Sequence, residues 1–266
     1  MSARIAVAAT APFGADVLER LAGRHEISVL LTRPDARAGR GRKLAPPPAK
    51  EAAERLAIPV LQPERLEPGL DLGADTVVAV AYGVIVPEPV LAERMWLNVH
   101  PSLLPRWRGA APVERAIMAG DAKTGVTVIQ LVKELDAGPV AARRAFPIEP
   151  EDDAGAVYVK AAEVAVELLD GVLGGSSFVP QSEEGATYAE KIAAADRVLD
   201  LSRPARELVD RVRALSPHIG ARAELHGRPV TVWRARVGED GAFEPLVVQP
   251  EGGRRMGYAA WLRGLR

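Results

Sequence analysis

Arg4–Thr10 (RIAVAAT), Ala15–Ala22 (ADVLERLA) and Glu26–Thr32 (EISVLLT) follow one another at the start of the chain. The first and third are apolar runs of strand length, and the second carries Val17, Leu18 and Leu21 at helical spacing. A strand, a helix and a strand so spaced imply a right-handed crossover between parallel strands, and with it a doubly wound, mostly parallel α/β sheet. The intervening turn, Ala11-Pro12-Phe13-Gly14, has no GxGxxG pattern, so a dinucleotide is not indicated.

Two further runs extend the sheet. Asp75–Tyr82 (DTVVAVAY) reads as a buried strand and Trp96–His100 (WLNVH) as a shorter one. Side chains alternate along a strand, which puts Asn98 and His100 on one face and Val99 on the other. The amide and the imidazole therefore lie side by side where the chain enters a loop rich in Pro and Gly. Open parallel sheets bind ligands past the carboxyl ends of their strands. On spacing alone an Asn-x-His pair is more often structural than catalytic, so the surrounding block decides.

That block runs Asn98–Ile117 (NVHPSLLPRWRGAAPVERAI), then Gly125-Val126-Thr127, then Glu134-Leu135-Asp136-Ala137-Gly138. It resembles the signature of the folate-dependent formyltransferases, and within them the group that acts on methionyl-tRNA. It departs at Pro101, where the family has glycine, a change that bears on loop geometry more than on chemistry. The resemblance implies a Rossmann-like catalytic region that uses 10-formyltetrahydrofolate as co-substrate. It assigns the folate to Ser102, Leu103, Leu104 and Pro105, together with Gly83, Val84 and Ile85 in the segment Tyr82–Pro87. It implies initiator methionyl-tRNA as acceptor. The alternative acceptor is an amino-sugar nucleotide, because enzymes of that kind share the Asn-x-His and SLLP features.

The chemistry suits the residues. Formyl transfer to an amine passes through a tetrahedral intermediate, which needs an oxyanion donor and a group that moves protons off the amine. Asn98 supplies an amide N–H₂ donor. His100 exchanges protons near neutral pH, and Asp136 beside it would favour the imidazolium and orient the ring. No side-chain nucleophile is needed, and Ser102 is not in a GxSxG elbow. The four histidines, His25, His100, His218 and His226, lack HExxH spacing and cysteine is absent, so no metal is expected.

Arg33–Pro48 (RPDARAGRGRKLAPPP) reads as a loop in which Arg33, Arg37, Arg40, Arg42 and Lys43 face a single acid, Asp35. Composition allows a solvated loop or a phosphate-binding arm, since guanidinium groups suit bidentate phosphate contacts. The segment resembles the insertion that tRNA formyltransferases carry after their second strand. That resemblance implies tRNA binding by Arg37, Arg40, Arg42 and Lys43. A net charge of −1 means that any tRNA contact rests on such clusters and not on the overall field.

At 266 residues the chain fits one large or two unequal domains. Helices are expected at Pro48–Leu56, at Pro112–Ala119, from Asp152-Asp153 to Gly174-Gly175, after Pro204, and around Trp261 and Leu262. Strands are expected at Ile58–Leu61, Gly125–Val132 and Val140–Ile148, the last an edge because of Arg143 and Arg144. Ala221–Leu225 and Pro229–Val237 make a hairpin about His226-Gly227, with a further strand at Leu246–Gln249. The division expected is a catalytic domain over 1–180, a linker over 181–203 that includes the family-like Ala186–Lys191 (ATYAEK), and a C-terminal domain over 204–266. The family closes with an OB-like barrel. Here strands are missing between Val237 and Leu246, so a shortened, β-rich version is expected. No apolar run spans a membrane and Met-Ser-Ala-Arg leads into a strand, so a cytoplasmic protein, expected to be monomeric, is anticipated.

Overall fold

The computed structural model describes residues 2–38 and 43–265. Its first half contains β1 (Arg4–Ala9), α1 (Pro12–Ala22), β2 (Glu26–Leu31), β3 (Ala36–Ala38), β4 (Lys43–Ala45), α2 (Pro48–Arg55), β5 (Val60–Leu61), β6 (Thr76–Val80), α3 (Glu88–Leu91) and β7 (Met95–His100). There follow β8 (Arg108–Gly109), α4 (Pro112–Met118), β9 (Lys123–Gln130), β10 (Val140–Pro147), α5 (Ala154–Leu173) and β11 (Tyr188–Ala189). The chain ends with α6 (Ala205–Leu215), β12 (Ala221–Leu225), β13 (Arg228–Val237), β14 (Phe243–Pro250), β15 (Met256–Gly257) and α7 (Tyr258–Arg263).

Seven strands form the main sheet in the order β10-β9-β7-β6-β1-β2-β5. Pairing is parallel from β7 through β6, β1 and β2 to β5, and β9 runs antiparallel to β7. The expected mostly parallel, doubly wound sheet is therefore present. Ile5 to Ala9 of β1 and Val77 to Val80 of β6 are all buried, as near-continuous apolar strands covered on both faces must be. Arg143 and Arg144 are exposed on β10, the edge strand.

The stretch Ala11–Gly14 is not a free turn: α1 already begins at Pro12. Proline at the first helical position lacks an N–H that would need a partner. Gly14 then sits so close to the sheet that an added Cβ would stand 2.5 Å from Val80 O and 2.8 Å from Ala9 Cβ.

The cationic segment also differs from a plain loop. Ala36, Arg37 and Ala38 pair antiparallel with Ala45, Leu44 and Lys43. Arg40 and Arg42 lie outside the described residues. Asp35 is held by Lys50 Nζ (2.9 and 3.0 Å) and Gln62 Nε2 (2.8 Å). Those bonds, Gln62's first, keep its carboxyl below the usual range. Arg37 and Lys43 are exposed.

Two compact units emerge. One comprises Met1–Arg108, Gly125–Ala145 and Val159–Thr187, and the other Gly109–Thr124, Phe146–Tyr158 and Tyr188–Arg266. The second holds the four-stranded antiparallel meander β12-β13-β14-β15. Leu208, Val212 and Leu215 of α6 share a core with Val230, Val232, Val248 and Trp261. His226 (φ 53°) and Gly227 (φ 71°) form the tight β12–β13 turn, both with the positive φ that such hairpins require. No strand lies between Val237 and Phe243, so the C-terminal region is small and β-rich, as its sequence implies. Ala214 of α6 also packs with Val113 and Ile117 of α4 and with Ala154 and Val157. Among the described residues no helix is long and apolar enough to cross a membrane.

Candidate active site

Asn98 and His100 end β7 on one face, and Asp136 joins them. Asn98 Nδ2 donates to Asp136 Oδ1 at 3.2 Å, and Asp136 Oδ2 stands 3.6 Å from His100 Nδ1. His100 Nε2 donates to the carbonyl of Trp107 at 2.8 Å. His100 is 4% exposed and Asp136 9%, while Asn98 is half-buried. The bond to the Trp107 carbonyl holds the ring in one orientation, with its Nδ1 turned to Asp136.

Asp136 is not delivered by a strand running parallel to β7. Instead β9 runs the other way: Thr127 lies opposite His100 and Gln130 opposite Leu97. The chain continues down β7 as far as a hydrogen bond from Leu131 N–H to Trp96 O (2.9 Å). It must then double back, and Asp136 adopts a left-handed φ of 50° to do so. Gly138 closes the return, since a Cβ there would stand 1.8 Å from Gln130 O.

The loop after His100 is fixed internally. Thr127 Oγ1 donates to Ser102 O (2.7 Å) and accepts from Leu104 N–H (3.1 Å). Ser102 Oγ donates to Arg106 O (2.7 Å). Ser102 and Leu104, both expected to touch the folate, are 0% and 1% exposed. Both side chains face inward, and the Ser102 hydroxyl helps to hold the loop's shape. What the loop offers a ligand is its main chain and the half-buried Leu103 and Pro105. Gly83 (φ 71°), Val84 and Ile85 follow β6, with Ile85 90% exposed. Thr10 Oγ1 donates to Tyr82 O (2.8 Å) beneath them, and burial pushes the Tyr82 phenol up to about 12.

Four residues around the site carried no catalytic pattern. Arg108, 3% exposed, reaches Glu183 through both terminal nitrogens (3.0 Å each) and Gln181 Oε1 (3.1 Å). The Arg108 hydrogen bond holds the Glu183 carboxyl below its usual range. Gln181 Nε2 donates to Asp136 O (2.8 Å) and Gly138 O (2.7 Å). Thr187 Oγ1 accepts from Trp107 N–H (2.9 Å). A buried arginine demands a carboxylate, but nothing in its spacing points to an acid 75 residues further on.

Among the described residues no group of three or more His, Asp or Glu could hold a metal ion. His25 and His226 are engaged elsewhere, with Asp170 (2.9 Å) and the Tyr258 hydroxyl (2.9 Å).

The family description "Formyl transferase" matches residues 3–173, and "Formyl transferase, C-terminal domain" matches 191–245. The methionyl-tRNA formyltransferase of Paracoccus denitrificans (strain Pd 1222) is 40% identical over 290 residues, covering 98% of this chain and 97% of the relative. That of Halorhodospira halophila is 41% identical over 303 residues, covering 100% and 97%. Among solved structures, HypX from Aquifex aeolicus in complex with tetrahydrofolic acid superposes with a TM-score of 0.68 at 21% identity, over 98% of this chain and 47% of HypX. An N-formyltransferase from Helicobacter canadensis, complexed with folinic acid and dTDP-3-aminofucose, gives 0.65 at 15% identity over 90% and 88%. Those two likenesses are of fold, whereas the sequence matches run the length of both chains: the chain belongs to the formyl transferase family, among its methionyl-tRNA formyltransferases.

Proposed function

We propose that the protein transfers the formyl group of 10-formyltetrahydrofolate to the amino group of methionine on initiator methionyl-tRNA, with Asn98, His100 and Asp136 as its catalytic residues. The observation that carries this reading is the convergence of those three side chains at the end of β7. The amine attacks the formyl carbon, a C–N bond forms, and the formyl oxygen becomes an oxyanion. Asn98 Nδ2 carries two N–H groups; one is engaged by Asp136 and the other serves the oxyanion. His100 takes the proton from the attacking amine on its Nδ1 side, where Asp136 at 3.6 Å is too far for a formed hydrogen bond. The proton then goes to folate N10 as the second C–N bond breaks and tetrahydrofolate leaves.

Leu103, Pro105 and the main chain of Ser102 and Leu104, with Gly83, Val84 and Ile85, are the proposed folate surface. The exposed apolar face of Val84 and Ile85 suits a flat ring. Arg37 and Lys43 on the β3–β4 ribbon, with Arg40 and Arg42 from outside the described residues, are proposed to meet tRNA phosphates. The expected setting is a monomer in the cytoplasm, with no metal. Purified protein given 10-formyltetrahydrofolate together with either methionyl-tRNA or a dTDP-amino sugar tests the acceptor. Formyl-methionyl-tRNA as the only product supports the proposal, and formylation of the sugar alone overturns it.

A further inference from the structure

Two non-glycine residues of the site hold left-handed backbone: Trp107 at φ 67° and Asp136 at φ 50°. Such a conformation costs an ordinary residue free energy and persists only where the surroundings enforce it. Both are bound by the same short stretch of chain. At Asp136, Gln181 Nε2 donates to the residue's own carbonyl (2.8 Å) and to that of Gly138 (2.7 Å). At Trp107, Thr187 Oγ1 accepts the N–H (2.9 Å), while the Thr187 N–H donates to Pro105 O (3.3 Å) and the Thr187 carbonyl accepts from Arg108 N–H (2.9 Å). The two anchors are joined, because Arg108 donates to Gln181 Oε1 (3.1 Å) and to Glu183.

These contacts converge on His100. Its Nε2 donates to the carbonyl of Trp107, and its Nδ1 faces the carboxylate of Asp136. Each group beside the imidazole thus belongs to a residue whose backbone the segment from Gln181 to Thr187 holds. The segment touches neither ring nitrogen itself.

We infer that Gln181 and Thr187 are positioning residues for formyl transfer, fixing from either side the Trp107 carbonyl that orients His100 and the Asp136 carboxylate that faces its Nδ1. This rests on the catalytic roles proposed above for His100 and Asp136. Removing the Thr187 hydroxyl takes away the acceptor of the Trp107 N–H and loosens the carbonyl that receives His100. Removing the Gln181 amide frees the return loop that presents Asp136. Displacements of about 1 Å in a reacting constellation cost on the order of 10²-fold in rate, while substrate binding elsewhere is untouched.

The test uses the full chain with Thr187→Val, Thr187→Ser, Gln181→Met and Gln181→Glu. The last keeps an acceptor for Arg108 and removes both donated bonds, and stands in if the methionine variant fails to fold. Steady-state kinetics for both substrates are paired with ¹⁵N spectra of the histidine rings in the unliganded protein, the His100 signals being identified with His100→Asn. The expected result is a fall in kcat of about 10- to 100-fold in Thr187→Val and in either Gln181 variant, with both KM values nearly unchanged. Thr187→Ser stays near wild type. His100 ring signals move in Thr187→Val and not in Thr187→Ser. Raised KM with normal kcat would make the segment a substrate contact, and lowered Tm with normal kcat would make it a staple only; either overturns the inference. A wild type inactive on methionyl-tRNA would overturn the acceptor proposed above. The His100 signals then decide this inference alone, moved signals supporting it and unmoved ones overturning it.

Discussion

Asn98 and Asp136, 38 residues apart in the chain, are joined by a 3.2 Å hydrogen bond from amide to carboxylate. That bond fixes which way the amide plane faces and leaves a second N–H for the oxyanion. We therefore expect Asn98→Ala to lose on the order of 10²–10³ in kcat, the usual cost of one oxyanion donor. His100→Ala and Asp136→Ala should fall at least comparably. Because the three act as a unit, double mutants should lose far less than the product of the single losses. Turnover at saturating substrates checks this, and a near-normal single mutant removes that residue from the mechanism.

Gly138 is where the return loop is tightest. Gly138→Ala sets a methyl 1.8 Å from Gln130 O, so the backbone has to move, and with it Asp136. Overpacking of this kind costs about 1–3 kcal/mol, or roughly 2–4 °C of Tm per kcal/mol in a chain of this size. We expect a Tm lower by several degrees and a kcat loss beyond what the unfolded fraction accounts for. Equal Tm and kcat would mean that the loop has more room than its geometry shows.

Glu114 sets a pH dependence. Burial raises its carboxyl above the ordinary 4.5, against the pull of its own backbone hydrogen bond, the Tyr158 hydroxyl and Arg115. A folded-state value above the unfolded one means that the folded chain binds the proton more tightly. Stability from this group is then fullest below 4.5 and is lost as pH rises through the raised value. Glu114→Gln keeps an acceptor for Tyr158 and carries no charge. We expect it to melt a few degrees above wild type at pH 8, with the gap narrowing towards pH 4. A gap that does not depend on pH would show that the carboxylate's charge is not the cause.

Methionine on tRNA arrives with a dense line of phosphates, whereas a sugar nucleotide brings only a diphosphate. Arg40→Ala and Arg42→Ala should weaken tRNA binding and leave folate affinity nearly unchanged. Each lost phosphate contact flattens the plot of log affinity against log salt by about 0.7–0.9. Identical slopes in a salt series would remove the arm from tRNA binding and favour the amino-sugar acceptor.

The exposed arginines of the C-terminal unit are also expected to meet tRNA phosphates, which guanidinium groups suit, but cutting the chain near Arg203 would not test this. That cut removes α6, whose Ala214 packs with Val113 and Ile117 of α4, and bares an apolar face. Substitution is the cleaner route. Arg222, Arg228 and Arg234 are exposed, while Arg236 is paired with Glu244 at 2.7 and 3.1 Å. Replacing the first three by alanine should raise the KM for tRNA and leave kcat unchanged. An unchanged KM would remove these arginines from tRNA binding.

Local pattern decided a good deal. The period of two in WLNVH set Asn98 and His100 on one face, the spacing of Val17, Leu18 and Leu21 marked α1, and His226-Gly227 marked its hairpin. Arg143 and Arg144 marked the sheet edge. Each of these depends on residues a few positions apart, so the order of side chains carries it. The tertiary structure alone decided that β9 opposes β7, that Asp136 returns through a left-handed turn, and that Ser102 and Leu104 face inward. It alone brought Gln181 to Asp136 across 45 residues and Thr187 to Trp107 across 80. Those contacts join side chains to backbone groups, which every residue has. They leave no periodicity or residue signature in the chain, and only the packing of the whole sheet brings them within hydrogen-bonding distance.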